Sequence, residues 1–116
     1  MRNYKELKVW EKAHKLTLTI YEVTKNFPSE EKFGITSQIR RAASAVPTNI
    51  AEGCGFNSDK QFARFMTIAL GSATEVEYLI FLAFELNFLT ETEHETLREE
   101  IIEIKKMLYT FITKLT

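Results

Sequence analysis

The sequence predicts an all-α protein, an antiparallel up-down-up-down four-helix bundle formed as one domain over residues 1–116. Three observations predict it. Apolar residues recur at alternating spacings of three and four, which places them on one face of a helix. Prolines, glycines and capping boxes cut the chain into four such segments. No strand-period alternation, internal repeat or low-complexity tract appears between them.

The first helix is predicted from Tyr4 to Asn26, with Val9, Ala13, Leu16, Ile20, Val23 and Phe27 on its seam. Leu7, Trp10, Leu18 and Tyr21 widen the apolar arc, so this helix should touch more than one neighbouring layer. Phe27-Pro28 stops it, because the residue before proline avoids the α region. Ser29 to Gly34 reads as a short turn or frayed helical turn. The second helix begins near Ile35 or Thr36 and carries the stripe Ile35, Ile39, Ala42, Val46 and Ile50. Pro47 lies inside it, lacks the donor for the Ala43 carbonyl, and should kink it. Gly53-Cys54-Gly55 is expected to end it through a left-handed glycine cap.

The third helix opens with a capping box, Ser58-Asp59-Lys60-Gln61. Its seam is Phe62, Phe65, Ala69, Ala73, Val76, Ile80, Ala83 and Leu86. A length of about 30 residues corresponds to roughly 45 Å at the α-helical rise. Gly71, Ser72 and Ala73 are small at its middle, which lets another helix come close. From Tyr78 to Leu89 the segment is apolar nearly all round, more than a bundle of this size can cover by itself. Burial of part of this surface by another subunit is the expectation. The fourth helix starts at a second capping box, Thr90-Glu91-Thr92-Glu93, and continues along Leu97, Ile101, Ile104, Leu108, Phe111 and Leu115. Short connections make neighbouring helices antiparallel.

Composition is that of an ordinary soluble domain: 116 residues, 45% hydrophobic, 27% charged, with 4 Gly and 2 Pro. The single Cys54 excludes an internal disulfide framework and a cysteine-rich zinc site. The absence of a signal-like start and of an 18-residue uncharged run leads us to expect a cytoplasmic protein with no membrane partner. Net charge is −1, but residues 1–57 carry +3 and residues 58–116 carry −4. Two readings follow: a solvated surface with attraction between halves, or a basic face for a polyanion or for head-to-tail subunit pairing.

Catalytic chemistry is hard to assemble from this chain. It has two His and one Asp, and no His lies near Cys54, which reads as a loop thiol. Gly53-x-Gly55 lacks a third glycine and follows a helix, so it is not a dinucleotide loop. Glu11-x-x-His14 and Glu91-x-x-His94 have the spacing used in di-iron bundles. In an up-down bundle, however, they lie at opposite ends, roughly 20 Å apart by the rise per residue. No cofactor, metal or small-molecule substrate is predicted.

Basic residues make the better candidates. Lys5, Lys8, Lys12 and Lys15 recur along one side of the first helix. Arg40 and Arg41 stand together on the second, and Lys60 and Arg64 form an i,i+4 pair on the third. Phosphate binding needs cations on a shared surface. A solvated helix face accounts for the lysines equally, and ion pairing to Glu75, Glu77 or Glu52 would account for the arginines. Aromatic residues follow the core seams, so no base-stacking platform is expected.

Several motifs together carry a resemblance. They are Tyr4-x-x-Leu7-x-Val9-Trp10-x-x-Ala13, then Phe27-Pro28-x-x-Glu31, then Gln38-Ile39-Arg40-Arg41-Ala42-Ala43-Ser44-x-x-Pro47-x-Asn49-Ile50-Ala51-Glu52-Gly53, then Ala69-x-Gly71-Ser72-x-x-Glu75-x-Glu77. With these the chain resembles, over essentially its whole length, the four-helix-bundle family encoded by intervening sequences in bacterial 23S ribosomal RNA genes. The resemblance implies a ring-shaped homopentamer and supplies no activity, catalytic residue or cofactor. The chain is also similar to the accessory variability factors of diversity-generating retroelements, pentamers that bind nucleic acid. Those are strongly basic, whereas the pI here is about 6.1. The polar block Gln38, Arg40, Arg41, Asn49, Glu52, Glu75 and Glu77 reads as mainly structural, with a ligand or RNA site as the other reading. The expected function is a non-enzymatic oligomeric scaffold, bound to copies of itself and to structured RNA or DNA. The alternative is a protein–protein scaffold with no nucleic-acid role.

Overall fold

The computed structural model describes residues 2–116. Four helices make up the chain: α1 (Lys8–Thr24), α2 (Ile35–Cys54), α3 (Asp59–Glu85) and α4 (Glu91–Leu115). They form an elongated bundle of 43 × 23 × 20 Å, with no strand among the described residues. Each helix packs on its sequence neighbour, α1 also packs on α4, and α1 and α3 form the diagonal pair, with no Cα atoms within 8 Å of each other. The core runs along the axis and is built from Val9, Leu16 and Ile20 of α1, Ile39 and Ile50 of α2, Phe62, Met66 and Ile80 of α3, and Leu97, Ile101 and Leu108 of α4. Each such side chain contributes about 1.5–3 kcal/mol by leaving water.

Helix ends follow local chemistry. The first helix starts later than predicted: Tyr4–Glu6 is a 3-10 turn capped by Asn3, and extended Leu7 (φ −85°, ψ 123°) separates it from α1. Lys5 therefore lies off α1. A second 3-10 turn, Ser29–Glu31, follows Pro28. At α3 the Ser58 hydroxyl accepts from the Gln61 amide, and at α4 both arms of the Thr90/Glu93 box form. α3 has 27 residues and ends where Asn87 takes φ 65°. The Phe88 amide then reaches back to the Ala83 carbonyl at 2.9 Å, a Schellman-type closure in which asparagine does the work usually given to glycine.

Two expectations at the end of α2 are corrected. α2 ends at Cys54, but Gly55 has φ −75°, so no left-handed glycine caps it. Gly53 matters for space instead: a Cβ there would lie 2.9 Å from Phe65 Cβ and 3.2 Å from Phe62 Cδ1. The glycine lets α2 and α3 touch. Cys54 is the last helical residue and is buried, not a loop thiol. Burial raises its thiol pKa, with nearby Arg2 opposing, which leaves it a poor nucleophile.

α2 is helical on both sides of the buried Pro47. The Ala43 carbonyl that Pro47 leaves without an amide is met by the Thr17 hydroxyl of α1. That hydroxyl sits 3.1 Å from the Ala43 oxygen and 2.8 Å from the Ala13 oxygen and shares its one proton between them. A defect in one helix thus becomes a link to the next.

Candidate functional site

The structure separates the predicted basic residues. Lys8, Lys12 and Lys15 remain along α1. Lys12 pairs with Glu103 of α4, and Lys15 with Glu11 at 3.1 Å. The hydrogen bond to Glu103, and then its charge, raise the Lys12 pKa. Glu100 completes this cleft beside Lys12, Lys15 and Glu103. Its carboxyl is raised by desolvation first, with Lys12 opposing. The middle of the lysine stripe therefore faces carboxylates and is largely neutralised.

Arg40 and Arg41 diverge, being about 100° apart around the helix. The expected carboxylate partner for Arg40 is absent. Its Nε donates to Thr24 Oγ1 at 2.8 Å, a terminal nitrogen donates to the Tyr21 carbonyl at 3.3 Å, and its guanidinium lies 4.8 Å from the Tyr21 ring centroid. Arg40 so clamps the C-terminal turn of α1, where unsatisfied carbonyls carry partial negative charge. The acids have other partners: Glu75 accepts from Gln38 at 3.3 Å and half-buried Glu77 pairs with Lys105 at 2.7 Å. Asn49 donates to the Ala45 carbonyl at 2.8 Å, inside its own helix. Arg41 and Glu52 are exposed and form no ion pair among the described residues. Most of the polar block thus closes or ties helices.

Folding gathers the remaining cations in a way the linear charge count conceals. α1 and α3 begin at the end of the bundle where α2 and α4 finish, as the contacts of Arg2 with the Cys54 carbonyl and of Phe62 with Phe111 require. Lys5, Lys8, Lys60, Arg64 and Lys114 all lie there. None of the five forms an ion pair among the described residues, and Arg64 lies over Phe65. The opposite end, joined by Phe27 against Phe88, collects Glu30, Glu31, Glu85, Glu91, Glu93 and Glu95. The bundle is polarised along its long axis. Sequence reasoning missed Lys114, because it sits in the acidic half of the chain, and Arg2, which pairs with Asp59 at 2.9 Å and covers the Phe62 ring.

The histidines sit on separate rings: His14 stacks on Trp10 and His94 on Phe84, with centroids 5.0 and 4.1 Å apart. Among the described residues no three His, Cys, Asp or Glu side chains are placed to share a metal.

A second surface is apolar. Tyr78 and Phe81 on α3 are 58% and 51% exposed, and Tyr109 on α4 is 65% exposed. Two clefts run between α3 and α4 and meet at Thr74, one lined by Tyr78, Phe81 and Arg98, the other by Leu70, Lys105 and Tyr109. By length and composition α3 also passes for a membrane-crossing helix, a description that the central helix of a bundle meets as well.

Fold and surfaces together define a helical-bundle protein whose distinguishing features are a charged end and an open apolar groove. The family model for the 23S rRNA-intervening sequence protein matches residues 5–110, and the chain belongs to that family. It is also similar to a crystal structure of a protein of unknown function from the S23 ribosomal protein family of Bacteroides thetaiotaomicron. The two are 28% identical, with a TM-score of 0.83, over 90% of this chain and 95% of that one. No curated protein matches the chain. Neither the family nor the solved neighbour carries an assigned activity, and nothing in the comparisons indicates an enzyme.

Proposed function

We propose that the protein is a non-catalytic subunit that assembles with copies of itself into a ring, of five subunits as the family resemblance implies, and serves as a scaffold. The observation that carries this reading is the groove between α3 and α4, where Tyr78, Phe81 and Tyr109 stay open to water in a single chain. Large contiguous apolar surface of this kind is a mark of an interaction site. A bend of α2 at Pro47, where the ring crowds the Ala43 carbonyl, belongs to the same reading as curvature in the ring wall. Native mass measurement across a dilution series is the test. A discrete oligomer that persists on dilution is expected, and a monomer at every concentration overturns the reading.

The basic end supports a second element, binding of structured RNA or DNA. In a ring of parallel copies the ends bearing Lys5, Lys8, Lys60, Arg64 and Lys114 share one side, and repeated weak phosphate contacts add through multivalency. A labelled RNA hairpin should bind with an affinity that falls steeply with salt and that weakens in Lys8→Ala/Lys60→Ala/Arg64→Ala. No binding at low salt would leave a protein–protein scaffold as the function.

A further inference from the structure

We infer that the basic end of the bundle takes unpaired nucleotides, with one base stacked on the open ring of Phe56. This rests on the nucleic-acid reading proposed above and specifies which form of nucleic acid that end takes.

A supported stack of rings stands at the start of α3. Phe56 lies in the connection from α2 to α3 and is 41% exposed. Its ring rests on Phe65, with centroids 5.3 Å apart and planes 20° from parallel. Phe65 is half-buried and fixed from behind, because its Cβ occupies the room that Gly53 leaves by having none. One face of Phe56 is therefore covered, and its exposed area lies away from Phe65. A ring held in one orientation loses little freedom when something stacks on it. Nucleobases stack on such faces whatever their sequence, since each has a π-face. Phe56 and Phe65 are nine residues apart across a turn, so no helical period joins them. The expectation that no stacking platform forms is corrected at this place.

The charge beside the stack decides what suits it. The Arg64 guanidinium lies 5.5 Å from the Phe65 ring centroid, and Lys60 precedes Arg64 by one turn on the same helix face. Neither forms an ion pair among the described residues. Asp59, the acid beside them in sequence, is held by Arg2 at 2.9 Å. Exposed Glu52, in the last turn of α2, is the other acid near in sequence. The Arg2 amide also donates to the Cys54 carbonyl at 3.0 Å, which lays the N-terminal segment, with Lys5, against the end of α2. Free cations next to an open ring match a chain of phosphates that carries flat bases. An apolar protein surface placed there would bury those cations without counter-charge. A fully paired duplex keeps its bases stacked inside, whereas a single strand or a hairpin loop presents them free.

The acidic end supplies a contrast. Phe33 is 90% exposed and has the Lys32 ammonium 5.5 Å from its ring centroid. It follows Glu30 and Glu31 and stacks on no other ring among the described residues. A supporting ring and a surplus of positive charge occur together at Phe56 and not at Phe33.

Fluorescence anisotropy with a labelled oligothymidylate, and with a fully paired DNA duplex of equal phosphate count, tests the inference. The wild-type protein should bind the single strand more tightly than the duplex. Phe56→Leu keeps an apolar side chain over Phe65 and removes the ring. It should weaken single-strand binding by roughly five- to a hundredfold, the range for one stacked base, with the salt slope unchanged. Duplex binding should not move, and Phe33→Leu should change neither. Lys60→Ala/Arg64→Ala should instead flatten the salt slope for both probes. Phe56→Trp gives a second readout: its added indole emission should be quenched by the oligothymidylate and not by the duplex. Wild-type affinity for the single strand in Phe56→Leu, equal losses on both probes, or unquenched emission in Phe56→Trp each overturns the inference and leaves the electrostatic reading in place. A wild-type protein that binds neither probe at low salt overturns both, which keeps the two failures distinct.

Discussion

α2 and α3 lie side by side, yet they treat their surfaces in opposite ways. α2 turns polar groups into ties: Arg40 clamps the end of α1, Gln38 reaches Glu75, and the carbonyl freed by Pro47 is taken by Thr17. α3 buries Phe62, Met66, Ala73 and Ile80 on one side and leaves Tyr78 and Phe81 in water on the other. The two glycines repeat the contrast. Gly53 on α2 is small because α3 is already against it, and Gly71 on α3 is small with nothing against it. Most of the polar side chains that set α2 apart are used inside its own chain, whereas α3 leaves large aromatic side chains in water.

The largest effect expected of that contrast is in the α3 core. Phe62→Ala should lower unfolding stability by about 3–5 kcal/mol, through lost burial and the cavity left behind. Phe81→Ala, about 100° around the same helix and with Phe81 51% exposed, should cost the subunit clearly less than Phe62→Ala, while weakening assembly. Chemical denaturation of dilute subunit, paired with native mass, separates the two. Equal losses of stability would erase the distinction between the faces.

The glycines come next. Gly53→Ala forces a Cβ against Phe65 and should cost about 1–3 kcal/mol, the usual penalty of overpacking. Gly71→Ala should gain up to about 1 kcal/mol in the dissociated subunit from helix propensity. Opposite signs in thermal unfolding are the signature to look for.

The α2 ties rank third. Arg40→Met removes charged hydrogen bonds worth about 1.5–3 kcal/mol, whereas Arg41→Met should fall within about 0.5 kcal/mol. If Arg41→Met proves the costlier in dilute subunit, the division of this pair into clamp and free cation is wrong.

Cys54 provides the smallest effect. Its folded pKa lies above the ordinary thiol value of 9.0, so the unfolded chain loses this proton first. The stabilising contribution is full below the unfolded thiol pKa and is lost as pH rises through the folded one. Cys54→Ala should flatten the alkaline end of the stability–pH curve. At neutral pH the wild-type thiol should react with a thiol reagent only as fast as the fold opens.

Sequence by itself determined the four helices, their antiparallel order and most of the core. Those follow from seam periodicity and capping, which are local: Val9, Ala13, Leu16 and Ile20 are all buried, as are Leu97, Ile101, Ile104 and Leu108. The apolar excess from Tyr78 to Leu89 was equally legible, because periodicity counts faces and this segment has too many. Partners across space were not legible. Arg40 could have met any of three acids, and it found Tyr21 and Thr24 instead, because only packing sets which helix end comes within reach. Burial of Cys54 and the purpose of Gly53 were likewise decided by the approach of α3 and by the N-terminal segment crossing beneath it. The charge map changed most. Read along the chain it divides into a basic first half and an acidic second half. Once the helices alternate in direction it becomes a basic end and an acidic end, since Lys114 folds back to the end that holds Lys8 while Glu30 shares the other end with Glu91. Local pattern is written in the order of residues, but proximity between distant residues exists only after the chain has turned back on itself.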